Sequence, residues 1–158
     1  MGGYRLSFKS RGQVSIELMF ILAIILVGIV IVSGAYYQSD TKNQIVYYVK
    51  TTAMSGCLYL NSGVVVNASK YSPLNTVVSL YNYSSLQCNV EGVGLTQNGN
   101  LINTTVYINC VNSVNSTILS NALEKYIVRS LSSMKGFAYN GSVLSFRSYV
   151  IQVGVVVK

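Results

Sequence analysis

The chain has 158 residues, 51% hydrophobic and only 9% charged, with a formal net charge of +7. An average soluble domain is about a quarter charged, and this length holds one modest domain plus an appendage. With no His, no Trp and only Glu17, Asp40, Glu91 and Glu124 as carboxylates, imidazole-dependent triads, Cys/His dyads and His-containing zinc sites are excluded. Apart from Arg5, Lys9 and Arg11 the basic residues stand singly, and the Tyr residues sit mostly among Val, Ser and Asn. The basic stripe interleaved with stacking aromatics that marks a nucleic-acid binder is therefore absent.

From Leu18 to Ser39 no residue is charged, a run long enough to cross a hydrocarbon core of about 30 Å as a helix. It exceeds the 7 to 15 apolar residues of a secretory signal and ends in Tyr36 and Tyr37, residue types suited to a membrane interface. The segment is therefore expected to stay on the mature protein. Arg5, Lys9 and Arg11 before it place the N-terminus in the cytoplasm and the chain beyond Asp40 outside. Glu17, at the edge of the run, is costly beside hydrocarbon unless it is paired or interfacial.

The flank of that carboxylate reads Arg11-Gly12-Gln13-Val14-Ser15-Ile16-Glu17-Leu18. It resembles the class III signal peptide of archaeal type IV prepilins, in which a short basic leader ends in a small residue and a Q-x-S-x-E motif opens a hydrophobic helix. The resemblance covers about Lys9 to Ser33. It implies cleavage between Gly12 and Gln13 by a prepilin peptidase, with Gln13, Ser15 and Glu17 opening the mature helix. In a bundle of such helices each Glu17 needs a cation or donors. The freed amine of a neighbouring Gln13 would make it a registration device between subunits, as buried polar residues are in coiled coils.

Beyond Asp40, Ile45, Val49 and Ala53 recur at helical spacing with Tyr48 and Thr52 beside them, so the helix is expected to run to about Gly56. Residues 57–158 then form a small head. Strands are expected at Val64–Val66, Thr76–Tyr83, Leu86–Leu95, Leu101–Cys110 and Arg147–Val157, the last alternating with Tyr149, Ile151, Val153, Val155 and Val157 on one face. Between Asn115 and Lys135 the apolar residues follow a 3.6 period, with an Asn115 or Ser116 cap and Gly136 as stop, which predicts a helix packed on the sheet. Asn140-Gly141 signals a tight hairpin. The fold class is α+β: a long hydrophobic N-terminal helix, then a small antiparallel β head carrying one amphipathic helix. The boundaries are a cleaved leader 1–12, a helix 13–56 and an extracellular head 57–158. Adhesive pilin heads of this family are often predominantly β, and the 115–135 helix departs from that.

A three-residue loop Asn98–Asn100 would set Val90 against Ile108 and Cys88 opposite Cys110, within disulfide reach, with Cys57 left over. The alternative is that all three cysteines are small buried thiols kept reduced. A metal site lacks the usual short ligand spacing. Sequons begin at Asn67, Asn82, Asn103, Asn115 and Asn140; sugars there would solubilise a head with few charges.

The resemblance implies a structural subunit, major or minor, of a pilus-like surface filament, assembled through its helix by the pilus machinery and serving adhesion. Its precursor would be a single-pass protein of the cytoplasmic membrane with the head outside. The alternative is an anchored extracellular binding protein that does not polymerise. No enzyme activity and no cofactor is expected, because Glu91 and Glu124 are the only carboxylates of the head and no Gly-rich phosphate loop is present.

Overall fold

In the computed structural model of the chain, residues 10–111 and 115–158 are described, with side chains from residue 16 onward except those of residues 35 and 38. Of the expected leader, residues 1–9 lie outside the described residues. The chain divides into two compact units, Met1–Lys42 and Asn43–Lys158. The architecture is α+β: a long N-terminal helix, then a small five-stranded sheet with further helices.

The first helix, α1, spans Ser10–Ser62. In the second unit its residues Ile45, Val49, Ala53, Cys57 and Leu60 are all buried, the stripe expected of an amphipathic helix docked along one side. Gly56 does not end α1. A Cβ there would come within 3.0 Å of Leu123 Cδ2 and Tyr126 Cε1, so this glycine lets another helix approach closely. The stop falls seven residues later, at Gly63, whose φ is +64°.

Two of the expected strands are not strands. Val64–Val66 has no regular structure. The Thr76–Tyr83 run falls largely within a helix, α2 (Ser72–Leu80), with Pro73 in its first turn and Leu74, Val77 and Val78 buried. The β-branched composition suggested a strand, but a proline preorganised for a helix start and the i, i+3, i+4 spacing of the buried residues outweigh it. After α2 the chain reverses through Asn82 and Tyr83, both at positive φ.

The strands are β1 (Cys88–Asn98), β2 (Leu101–Cys110), β3 (Phe137–Tyr139), β4 (Leu144–Phe146) and β5 (Tyr149–Val157), in the order β1-β2-β5-β4-β3. The sheet is mixed rather than wholly antiparallel, because β2 and β5 pair in parallel from Leu101↔Val150 to Ile108↔Val157. Parallel neighbours need a crossover, and here it contains α3 (Ser116–Ser132) and the β3–β4 hairpin. Among the described residues the head thus carries two α-helices besides α1. Asn115 caps α3, its Oδ1 accepting from Thr117 N at 3.1 Å and Ile118 N at 3.2 Å. Asn140 Oδ1 accepts from Val143 N at 2.9 Å and organises the β3–β4 turn.

The β1–β2 turn differs in detail from the expected three-residue loop. Asn98 pairs with Leu101, leaving Gly99 and Asn100 as a two-residue turn, and a register shift between Val90 and Gly92 then sets Val90 against Ile108 and Cys88 against Cys110. Glu91 is the extra residue of this β-bulge. One inserted residue moves every side chain beyond it to the other face, so the bulge returns the strand's first residues to the core.

Gly63 is the least replaceable backbone position described. An added Cβ would lie 2.2 Å from Tyr83 O, and φ is positive besides. Gly63→Ala is expected to destabilise the head by about 2–4 kcal/mol, on the scale of mutations that combine backbone strain with a clash. A thermal melt of the full chain in detergent checks this; an unchanged midpoint would contradict the packing at the end of α1.

Candidate functional site: an exposed apolar helix and a covalently closed hairpin

The first unit carries the feature richest in functional implication. Ile16, Leu18, Met19, Phe20, Leu22, Ile25 and Val30 are all at least half exposed, on every side of the helix. A helix apolar all round is stable in water only when covered. By length and composition this part of α1 is able to cross a membrane, with mean hydropathy 3.0 over its most apolar window, none of it buried. Glu17 is exposed at the start of this surface. Among the described residues it has no ion pair or hydrogen bond. Gly12, Gln13 and Ser15 are helical, and their side chains lie outside the described residues.

In the second unit Cys88 and Cys110 form a disulfide with Cα atoms 4.1 Å apart, as suits directly opposed residues of a non-hydrogen-bonded antiparallel pair. Asn61, near the end of α1, clasps the same strand. Its Nδ2 donates to Cys88 O at 2.9 Å and its Oδ1 accepts from Cys88 N at 2.7 Å. The side-chain amide takes the place of a neighbouring strand at the outer edge of β1. Sequence reading missed this clasp, since one Asn among many carries no periodic signal.

Cys57 is the free thiol and is buried. Burial pushes its pKa from the ordinary 9.0 up to about 11. Burial likewise raises that of Tyr126, and the neighbouring Tyr71 adds to the shift. Among the described residues no group of three His, Cys, Asp or Glu comes together.

The sequon asparagines are not equivalent. Asn67, Asn82, Asn115 and Asn140 are exposed, whereas Asn103 is half-buried on β2. Its Oδ1 is enclosed and has no hydrogen-bond partner among the described residues. Asn103 lies in the lining of a groove of about 820 Å³ together with Lys125 and Arg129 of α3 and Gln152, Val153 and Gly154 of β5.

No protein-family model, curated protein or solved structure matches this chain.

Two measurements test this chemistry. The disulfide closes a loop with a sequence separation of 22, for which the chain-entropy relation gives roughly 3 kcal/mol. The Cys88→Ser/Cys110→Ser double variant should lose about that much unfolding free energy in urea; an unchanged midpoint would contradict it. A group whose folded pKa is raised contributes stability that is complete below its unfolded value and is lost as pH rises through the folded value. For Cys57 that window runs from 9.0 to about 11, and Tyr126 acts in the same direction. Native protein should therefore be inert to maleimide at neutral pH, release one reactive thiol on unfolding without reductant, and weaken between pH 9 and 11.

Proposed function

We propose that the protein is a structural subunit of a type IV pilus-like surface filament, cut between Gly12 and Gln13 and assembled through the apolar part of α1. The observation that carries the proposal is the all-round exposed apolar surface from Ile16 to Val32, opened by one unpaired carboxylate in the Gln13-x-Ser15-x-Glu17 register. In water this surface is untenable. In a membrane it is satisfied as a single span, and in a filament it is satisfied by copies of itself. Burying apolar surface is worth about 25 cal/mol per Å² removed from water, so transfer from lipid to a helical bundle is close to neutral in that term. Packing and polar partners then decide, and Glu17 becomes the group for which the bundle must supply a cation or donors.

The long helix followed by a small α+β head suits this role. Processing would leave Gln13 as the new N-terminus, its amine the nearest cation for a neighbour's Glu17. The head, with few charges and exposed sequons at Asn67, Asn82, Asn115 and Asn140, would face the exterior, where sugars solubilise it and surface attachment is its work. An anchored, non-polymerising binding protein is the second reading, favoured by the same membrane-spanning length.

Intact mass and N-terminal sequencing of the sheared surface fraction from cells that make the protein separate the two. The filament reading expects chains beginning at Gln13, and expects Glu17→Ala to reduce the sheared fraction at least tenfold with the membrane pool kept. Chains found only in membranes with residues 1–12 attached would overturn it.

A further inference from the structure

Among the described residues, and besides the outer edge of the three-residue β3, the sheet leaves two longer stretches of strand edge open. Val150 N donates to Asn100 O and Lys158 N to Ile108 O, both at 2.9 Å, so the even-numbered residues of β5 face β2. Main-chain groups alternate sides along a strand. The odd residues therefore point the other way. There β4 covers β5 only as far as Ile151. Val153, Val155 and Val157 thus present N–H and C=O groups with no strand beside them among the described residues.

The same parity applies to β1. With Asn98 and Leu101 closing the two-residue turn, Thr96 and Gly94 face β2, and Val93, Leu95 and Gln97 face outward. At its start this edge is already closed, since Asn61 holds Cys88. Past the bulge it is open. Three outward residues on β1 thus match three on β5.

Proteins blunt open edges with charge, proline or bulges. Neither Gly92–Asn98 nor Gln152–Val157 contains a charge or a proline. Elsewhere the second unit is strongly basic: Asn43–Lys158 has seven Lys and Arg against two Glu, a net charge of +5. Like-charged heads meet most favourably through uncharged surfaces. The groove of about 820 Å³ reaches Gln152, Val153 and Gly154, with Lys125 and Arg129 in its lining, and leaves room beside the open part of β5.

We propose that the β1 edge of a second copy of this chain pairs with the open edge of β5, joining neighbouring heads into one continuous sheet. The contact is head-to-tail, and a contact of that kind propagates as an open filament when the rotation does not close. One operation covers the open stretches of β1 and β5 in every interior copy. Because β1 is antiparallel to β2 and β2 parallel to β5, copies oriented alike bring the incoming β1 antiparallel to β5. Main-chain hydrogen bonds supply the attraction, as in other strand additions. The proposal rests on the filament reading above.

The test uses full-length protein in cells that make it, with photoreactive p-benzoylphenylalanine replacing Gln97 on the β1 edge or, separately, Leu26 on the apolar helix. Strand pairing predicts that Gln97 adducts map to Gln152–Lys158 of a second copy. Val155→Pro removes only an outward N–H, which prolines on edge strands tolerate. It should lower that adduct at least tenfold and leave the Leu26 self-adduct unchanged; Leu95→Pro repeats the test from the other strand should the first variant fail to fold. Leu26 self-adducts with Gln97 adducts absent or elsewhere would overturn the strand pairing and leave the filament reading standing. Self-adducts at neither position would overturn both.

Discussion

The stripe Ile45, Val49, Ala53, Cys57 and Leu60 on α1 is the surface around which the rest of the head is organised. All five are buried, in one core cluster with residues of α2, α3 and the sheet. A head of this size gains little from surface charge and must close its core with few side chains. A helix whose apolar stripe is already laid out gives the later elements a template. Gly56 admits α3 close to α1, and Asn61 fixes the position of β1 relative to the same helix. Both are constraints set by one residue: a Cβ that is absent and an amide that is present.

Tyrosine does much of the work that charge does in other domains. Tyr59 and Tyr71 stack at 4.3 Å, and Tyr71 and Tyr126 at 5.5 Å. Tyr48 packs edge-on to Phe137 at 5.6 Å. Their hydroxyls reach backbone and amides at the periphery: Tyr59 OH accepts from Val66 N at 2.7 Å and donates to Asn75, and Tyr81 OH accepts from Asn115 N at 2.7 Å. A ring with one polar end satisfies loops that a purely aliphatic core would leave unpaired. The Val64–Val66 segment is held in this way although it belongs to no strand.

Much of this was legible in the sequence, and the failures have physical causes. The stripe on α1, the alternation along β5, the Asn115 cap and the Asn-Gly turn are local signals with one dominant period or one characteristic residue. The α2 segment misled because Thr76, Val77 and Val78 favour strands intrinsically while Pro73 and tertiary burial favour a helix, and burial prevailed. Gly56 misled because a glycine needed for close packing reads like one that ends a helix. The Cys88–Cys110 register followed from matching apolar faces, but the means was a bulge at Glu91 and not a longer turn, since face-matching constrains only the sum of the two. The parallel partnership of β2 and β5 could not be read at all, because nothing local in either strand encodes a partner about fifty residues away.

That distant partnership orders events in time. The β1–β2 hairpin closes across a two-residue turn and can form as soon as it is made, but β2 gains its other neighbour only once residue 157 has been synthesised and the intervening helix and hairpin have folded back. The apolar part of α1, which ends by Ser39, leaves the ribosome about 120 residues before that. For this whole interval the helix is available to be captured, and from the completion of β2 at Cys110 that strand shows one bare side. The protein thus presents its most insoluble segment first and its sheet-closing strand last, so that a delay between Cys110 and Val157 extends the life of a half-sheet at a stage when the helix has long been available for capture.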